Sequence, residues 1–411
     1  MPLATIVICV DHGYVSGGQS KVAIESAMGL RAAGARVILF AGCGPVDERL
    51  VAAGVETVCL GQHDILSNPS RFAAGCQGIW NSRAAEALAK TLAPLPRDRT
   101  IVHVHGWAKA LSPSIARPIQ AARLPAAYTV HDYFMHCPNG GFYNYPNKEV
   151  CSLRPMSTAC WLTNCDSRNY VFKLWRNARM FVTQHVAHLT QTFSDILLLS
   201  NLQEEVLQNC LPKGTALHRV TNPVDVEPLG QKSDPTTGDF LFVGRLSPEK
   251  GASLFAEAAQ RANVIPVFIG DGPTSEQLRT RFPQARFLGW RSPAEVRAAM
   301  REARALVFPS IWYETFGLTA LEAKAMGTPV IVADGCAARE AVDHGVTGLW
   351  FKSGSVDALT SAIRMLLKDE LIVELSRQAY DAYWAAPATL ERHVAETVAV
   401  YEQMLARRAA A

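Results

Sequence analysis

The sequence predicts an α/β protein built from two parallel-sheet halves joined by a linker. Three observations carry this. Short β-branched runs alternate with helix-periodic stretches along the whole chain. The runs are apolar throughout, as strands covered on both faces must be. The alternation pauses once, in a polar, turn-rich stretch at 226–238, and then resumes.

The elements follow in order. Thr5 to Val10 reads as the first strand, followed by a Gly-rich turn and a helix from about Ser20 to Ala33. Runs at 36–40, 101–105 and 127–130 are the other strands of the first half. In the second half 239–243, 265–269, 305–308 and 329–332 are strand-like. The expected domains are therefore 1–225 and 239–380, with a helical tail at 381–411. A chain of 411 residues suits two to three domains of about 150 residues each, with cores that need no covalent staples.

Composition narrows the class. Hydrophobic residues are 49% and charged residues 19%, which excludes a disordered chain. Forty Lys and Arg against 37 Asp and Glu leave a net charge of +3, and no nucleic-acid partner is expected. No apolar run reaches the roughly 18 residues that span a bilayer. The apolar start lacks a basic head and runs into Asp11-His12-Gly13, so it reads as a strand and not as a signal peptide. A cytoplasmic location with reduced thiols is the expectation. Six of the ten cysteines are scattered (Cys9, Cys43, Cys59, Cys76, Cys210 and Cys336) and are expected to be small buried apolar residues.

Open α/β sheets bind ligands beyond the carboxyl ends of their strands, and two such sheets face to face leave a cleft. The motifs stand at those ends. Gly17-Gly18, before the first helix, allows close backbone approach and offers helix N–H groups to an anion, although a plain tight turn reads the same way. Gly244-Arg245 and Lys250 follow the first strand of the second half, where a diphosphate would dock. Gly270 and Gly289 end further strands and would border a base or ribose. His131 ends a strand of the first half and would face the cleft.

The strongest segment is Glu314 to Glu322. Two carboxylates separated by seven residues flank Phe316-Gly317-Leu318, with Gly317 opening a helix. Carboxylates accept from sugar hydroxyls, and free helix N–H groups favour phosphate oxygens.

Together, in order and over nearly the whole chain, these residues resemble the family-four glycosyltransferases of the GT-B fold. The resemblance implies two Rossmann-like parallel-sheet domains facing across a cleft. It implies transfer of a hexose-type sugar from a nucleotide diphosphate-sugar, UDP- or GDP-linked, to a glycan or lipid-linked acceptor of cell-surface polysaccharide synthesis. It also implies retention at the anomeric carbon and no catalytic metal. Carried over, Arg245 and Lys250 neutralise the departing diphosphate, Glu314 holds the sugar hydroxyls and Glu322 those of the ribose. Phe316, Gly317 and Leu318 present backbone to the donor, Gly17 and Gly18 face the diphosphate, and His131 lies near the reacting sugar. The tail returns onto the first domain. Two alternatives stay open: a nucleotide-sugar epimerase of the same fold, and a catalytically silent nucleotide-sugar or metal-binding protein.

One segment, 137–180, exceeds the minimal pattern. Cys137, Cys151, Cys160 and Cys165 stand at spacings of 14, 9 and 5. A structural zinc or an iron–sulfur cluster, free thiols, and two reversible disulfides are all compatible with this spacing. Arg168, Lys173, Arg176 and Arg179 then interleave with Tyr170, Phe172, Trp175 and Phe181. Such a helix suits either an anionic membrane surface, on the cytoplasmic face, or ordinary packing on the domain.

Overall fold

The computed structural model describes residues 5–410. The first half contains β1 (Thr5–His12), β2 (Arg36–Cys43), β3 (Glu56–Cys59), β4 (Thr100–Val104) and β5 (Ala126–Thr129). A small antiparallel hairpin pairs β6 (Tyr143–Asn144) with β7 (Glu149–Val150), and β8 (Asp195–Leu198) and β9 (Ala216–Arg219) complete the half. The second half contains β10 (Phe240–Val243), β11 (Pro266–Ile269), β12 (Arg286–Gly289), β13 (Ala305–Phe308), β14 (Val330–Ala333) and β15 (Gly348–Phe351). The strand orders are β3-β2-β1-β4-β5-β8-β9 and β12-β11-β10-β13-β14-β15, and every pairing in these two sheets is parallel.

Burial explains which strands the sequence announced. Central β1 is buried along its whole length, so it reads as one apolar run. The edges β3, β9 and β15, each with some exposed residues, did not announce themselves. Polar Glu56 and Thr57 in β3 and His218 and Arg219 in β9 break the apolar run, while β15 is apolar but only four residues long, with Trp350 exposed. Buried β8 opens on Asp195 and went unrecognised as well.

The tail forms two helices, Asp369–Ala385 and Leu390–Ala409. The second lies on the helix Gly18–Ala32. Gly29 makes this close, since a Cβ there would stand 2.5 Å from a Val394 methyl. His393 Nε2 bonds Ser26 Oγ at 2.6 Å, and the Tyr401 hydroxyl bonds His103 Nδ1 at 2.6 Å. The last helix thereby closes over the first half.

Two expectations need correction. Cys76 is exposed on the helix Arg71–Ile79, while Cys59 and Cys210 are half-buried, so only Cys9, Cys43 and Cys336 of the scattered six are core residues. The helix Tyr170–Phe181 does not present its basic side chains to solvent as a membrane-binding face would. Lys173 and Arg179 are buried, and Arg176 pairs with Asp166 at 2.5 Å. Arg179 donates to the Ala108 carbonyl and lies over the rings of Phe134 and Trp175. Each inward cation has found an anion, a carbonyl, a sulfur or a ring face, which offsets its desolvation. Val171, Leu174 and Phe181 are exposed instead. Among the described residues no helix is long and apolar enough to cross a membrane.

Candidate active site

A cavity of about 340 Å³ opens where the carboxyl ends of the two sheets meet. From the first half it is lined by Gly18, Gln19, His131, Leu199 and Asn222. From the second come Gly244, Lys250, Ser310 and the stretch Glu314 to Thr319.

Two backbone features assemble the second wall. Gly251 has φ +72°, and a Cβ there would stand 2.0 Å from the Pro309 carbonyl oxygen. Only glycine lets the Lys250 turn lie this close to the loop after β13. Gly317 has φ +141° and passes against Ala338, then starts the helix Leu318–Ala325. The first N–H groups of that helix open toward the cavity and suit an anion.

Glu314 is the most heavily bonded carboxylate of the site. Lys250 Nζ donates to its Oε1 at 2.8 Å and its Oε2 at 2.6 Å. Ser310 Oγ and Trp312 Nε1 each donate to Oε2 at 3.0 Å. The Trp312 ring also lies under Lys250 Nζ, 5.3 Å from its centroid.

On the facing wall His131 follows β5. Its Nε2 lies 3.0 Å from His105 Nδ1, in a stacked pair of rings. Burial, and then the neighbouring His393, push the His131 pKa down to about 3. The ring is therefore neutral at pH 7, a hydrogen-bonding group and not a cation. The His105 carbonyl accepts from Gln19 Nε2 at 2.6 Å, so one residue places two groups of the wall. Asp11 accepts the N–H groups of Lys109, Ala110 and Leu111 at 3.0, 2.7 and 3.0 Å and clamps the loop after β4. The halves touch beside the cavity. Thr315 Oγ1 donates to the His131 carbonyl at 3.3 Å, and Glu340 accepts the N–H groups of Asn201 and Leu202 at 2.8 and 2.9 Å.

Of the residues singled out by sequence, Gly18, His131, Gly244, Lys250, Glu314, Phe316, Gly317 and Leu318 line this cavity. Gly17, Arg245, Gly270, Gly289 and Glu322 do not. Arg245 is exposed, and its charge reaches Tyr145 of the Cys-containing segment. Gly270 is a packing glycine, since a Cβ there would lie 2.0 Å from the Gly244 carbonyl oxygen. Burial holds the Glu322 carboxyl above its ordinary value, with the charges of Lys21 and Arg297 opposing the rise and that of Asp225 adding to it. Sequence reasoning met Gln19, Asn222, Ser310 and Thr315 only as members of its motifs and gave them no role, and it passed over Trp312. Nothing in the local pattern sets these side chains apart, and Trp312 stood only two positions from Glu314.

The four cysteines of the extra segment are free thiols, with Cys137, Cys160 and Cys165 buried. Among the described residues no group of three or more His, Cys, Asp or Glu side chains is arranged to hold a metal ion. Lys173 Nζ reaches both Cys160 Sγ (3.4 Å) and Cys165 Sγ (3.2 Å).

Comparison with known proteins agrees with this architecture. Residues 17–162 match the family "Glycosyl transferase 4-like domain", and residues 228–383 match "Glycosyl transferases group 1". A phosphatidyl-myo-inositol mannosyltransferase of Mycobacterium leprae is 32% identical over 206 residues, 45% of this chain and 55% of that protein. The chain thus spans about half the length of such curated relatives. The glycogen synthase of Mycobacterium tuberculosis is 26% identical over 380 residues, 86% of this chain and 83% of that protein. The Anabaena protein HepE, solved in complex with UDP and glucose, superposes with a TM-score of 0.65 at 18% identity, covering 97% of this chain and 100% of that one. Both domains are matched in order and the fold is shared across nearly the whole chain: it belongs to the family-four glycosyltransferases of the GT-B fold.

Proposed function

We propose that the cavity takes a nucleotide diphosphate-sugar and that the chain transfers the sugar, with retention, to a glycan or lipid-linked acceptor. The observation that carries this is the Lys250–Glu314 contact beside the start of the helix Leu318–Ala325, opposite Gly18 and His131. A cation and a helix N-terminus suit a diphosphate, and a carboxylate between them suits sugar hydroxyls. Lys250 and the helix N–H groups supply the positive charge inside the cavity, with exposed Arg245 outside its lining, so no metal is assigned a catalytic role.

Glu314 is the only carboxylate among the described residues that line the cavity, and three side chains hold it. Among the described residues the facing wall brings no carboxylate to the lining that would form a glycosyl-enzyme bond. This favours front-face departure. The bond from the anomeric carbon to the diphosphate oxygen breaks, the acceptor oxygen bonds on the same face, and its proton passes to the leaving diphosphate. Closure of the halves through Thr315 and Glu340 would exclude water.

The relatives named above act, by their names, on a phosphatidylinositol and on glycogen, so both acceptor classes are open to this chain. Exposed Val171, Leu174 and Phe181 support work at a membrane surface, on the cytoplasmic face, through apolar contact and not through the buried cations. Sedimentation with phosphatidylglycerol vesicles tests that part, and Val171→Ser with Leu174→Ser should release the protein.

Calorimetry with UDP, GDP and ADP on wild type and Lys250→Ala tests the donor site. Binding of one nucleotide diphosphate, weakened in the variant, is expected, with UDP tried first because HepE holds it. Absence of binding to any of the three would sink the reading.

A further inference from the structure

Lys173 is 1% exposed, yet no carboxylate oxygen among the described residues lies within ion-pairing distance of it. Its ammonium nitrogen bonds two sulfurs, Cys160 Sγ at 3.4 Å and Cys165 Sγ at 3.2 Å. A buried ammonium stays charged only against an anion. Burial alone would push Lys173 down, but Cys165 and Cys160 outweigh it and hold the amine above its ordinary value. The side-chain atoms that its Nζ bonds among the described residues are these two sulfurs. Cys165 is assigned as the attacking sulfur, because its Sγ faces a second donor, Asn139 Nδ2, at 3.4 Å.

We propose that Cys165, Cys160 and Lys173 form a peroxide-reactive dithiol site that controls the Trp312–Glu314 contact. The Cys165 thiolate attacks the peroxide O–O bond, giving Cys165 sulfenic acid and releasing hydroxide, or alkoxide from an organic hydroperoxide. The Cys160 thiol then attacks that sulfur, forming the Cys160–Cys165 disulfide and releasing water. In sum, two thiols lose two electrons and two protons to the peroxide, the one external oxidant required. Both sulfurs already lie within hydrogen-bonding reach of a single nitrogen, so the second step needs only local movement.

The path to the candidate active site is continuous. Asn139 Nδ2 donates to the Tyr143 carbonyl (2.6 Å) and faces Cys165, while its Oδ1 accepts from Cys137 Sγ (3.0 Å) and from the Gly141 N–H (3.1 Å). Gly141 lies against the Trp312 ring, so closely that a Cβ would stand 3.1 Å from it. Trp312 in turn donates to Glu314. Oxidation withdraws the thiolate from Asn139 and Lys173, and the Asn139–Gly141 turn that backs Trp312 loosens.

The thiol chemistry stands independently of the transferase reading; only its effect on turnover rests on that reading. The full-length protein is treated with hydrogen peroxide, and intact mass and peptide mapping are followed beside nucleotide binding and sugar transfer. A mass loss of two hydrogens, mapped to Cys160–Cys165 and reversed by dithiothreitol, is expected. Turnover should fall by about tenfold with nucleotide binding kept. Lys173→Met should react more slowly. If that variant fails to fold, Cys160→Ser serves: it should keep basal turnover, trap a dimedone-reactive sulfenic acid at Cys165 and form no disulfide. Reduced Cys160 and Cys165 after exposed Cys76 has been oxidised would overturn the proposal. So would stoichiometric zinc on these sulfurs in the protein as purified. A disulfide that leaves turnover unchanged would overturn the control of Glu314.

Discussion

Lys250 Nζ lies 2.6 and 2.8 Å from the two carboxylate oxygens of Glu314, a residue 64 positions away. The cation suited to the diphosphate is thus already neutralised by the carboxylate suited to the sugar. A bound donor has to draw Lys250 toward phosphate and free Glu314 for hydroxyls. Glu314→Gln removes the competing anion. Nucleotide diphosphate affinity should hold or rise in calorimetry, while turnover falls by about a hundredfold or more. Loss of nucleotide binding in this variant would contradict the arrangement.

Trp312→Phe keeps the ring beneath Lys250 but removes the N–H that Glu314 Oε2 accepts at 3.0 Å. A hydrogen bond to a charged group is worth about 1.5–3 kcal/mol, so kcat should drop by roughly ten- to a hundredfold. The melting temperature should barely change, since Trp312 is only partly buried at the rim. A large melting shift with unchanged kcat would make Trp312 a packing residue only.

Tyr401→Phe deletes the bond between the last helix and His103, 298 positions apart and both buried. The expected cost is about 1–2 kcal/mol in the denaturant-unfolding free energy, because His103 Nδ1 is left buried without a partner. Equal stability of the two proteins would mean that the tail is held by apolar packing alone.

Acid should unfold this protein early. Burial pushes His103 and His131 down to about 3 and His136 to about 4. Folded, these rings stay neutral; unfolded, they take protons below about 6.5. The unfolded state therefore binds more protons between about 6.5 and 3–4, and stability is lost as pH falls through that window. Asp132 opposes this, since burial raises its carboxyl to about 6 and the folded form gains that proton first. Burial also lowers His105 and His393 and raises Glu25 and Glu322, so five imidazoles stand against three carboxyls and leave a net loss of stability. Melting temperature should fall steadily from pH 7 to pH 4.5, and a flat profile would show these rings to be solvated.

Glu340→Ala removes the carboxylate that accepts the N–H groups of Asn201 and Leu202 across the cleft. The halves should part more readily. A larger radius of gyration by small-angle scattering and a several-fold higher KM for the donor are expected; an unchanged radius would mean that other contacts hold the cleft closed.

The parallel α/β architecture was legible because it rests on local patterns. Runs such as Ile6 to Val10 can only be strands buried on both faces, and glycines such as Gly317 mark turns that side chains forbid. Edge strands were less legible, since β3 and β9 carry polar residues toward water.

By itself the sequence determined two sheets, the strand ends where chemistry gathers, and the Glu314 to Leu318 wall. Tertiary structure decided the partners. It set Lys250 on Glu314, placed half-buried Glu322 apart from the cavity's lining, and left Arg245 outside it. It also turned Lys173, Arg176 and Arg179 inward and Val171 outward, against what their charges alone suggest. The physical reason is range. Backbone preference and hydrophobic period act over a few residues, whereas a buried charge is settled by whichever sulfur, ring or carboxylate the folded chain brings to it from far along the sequence.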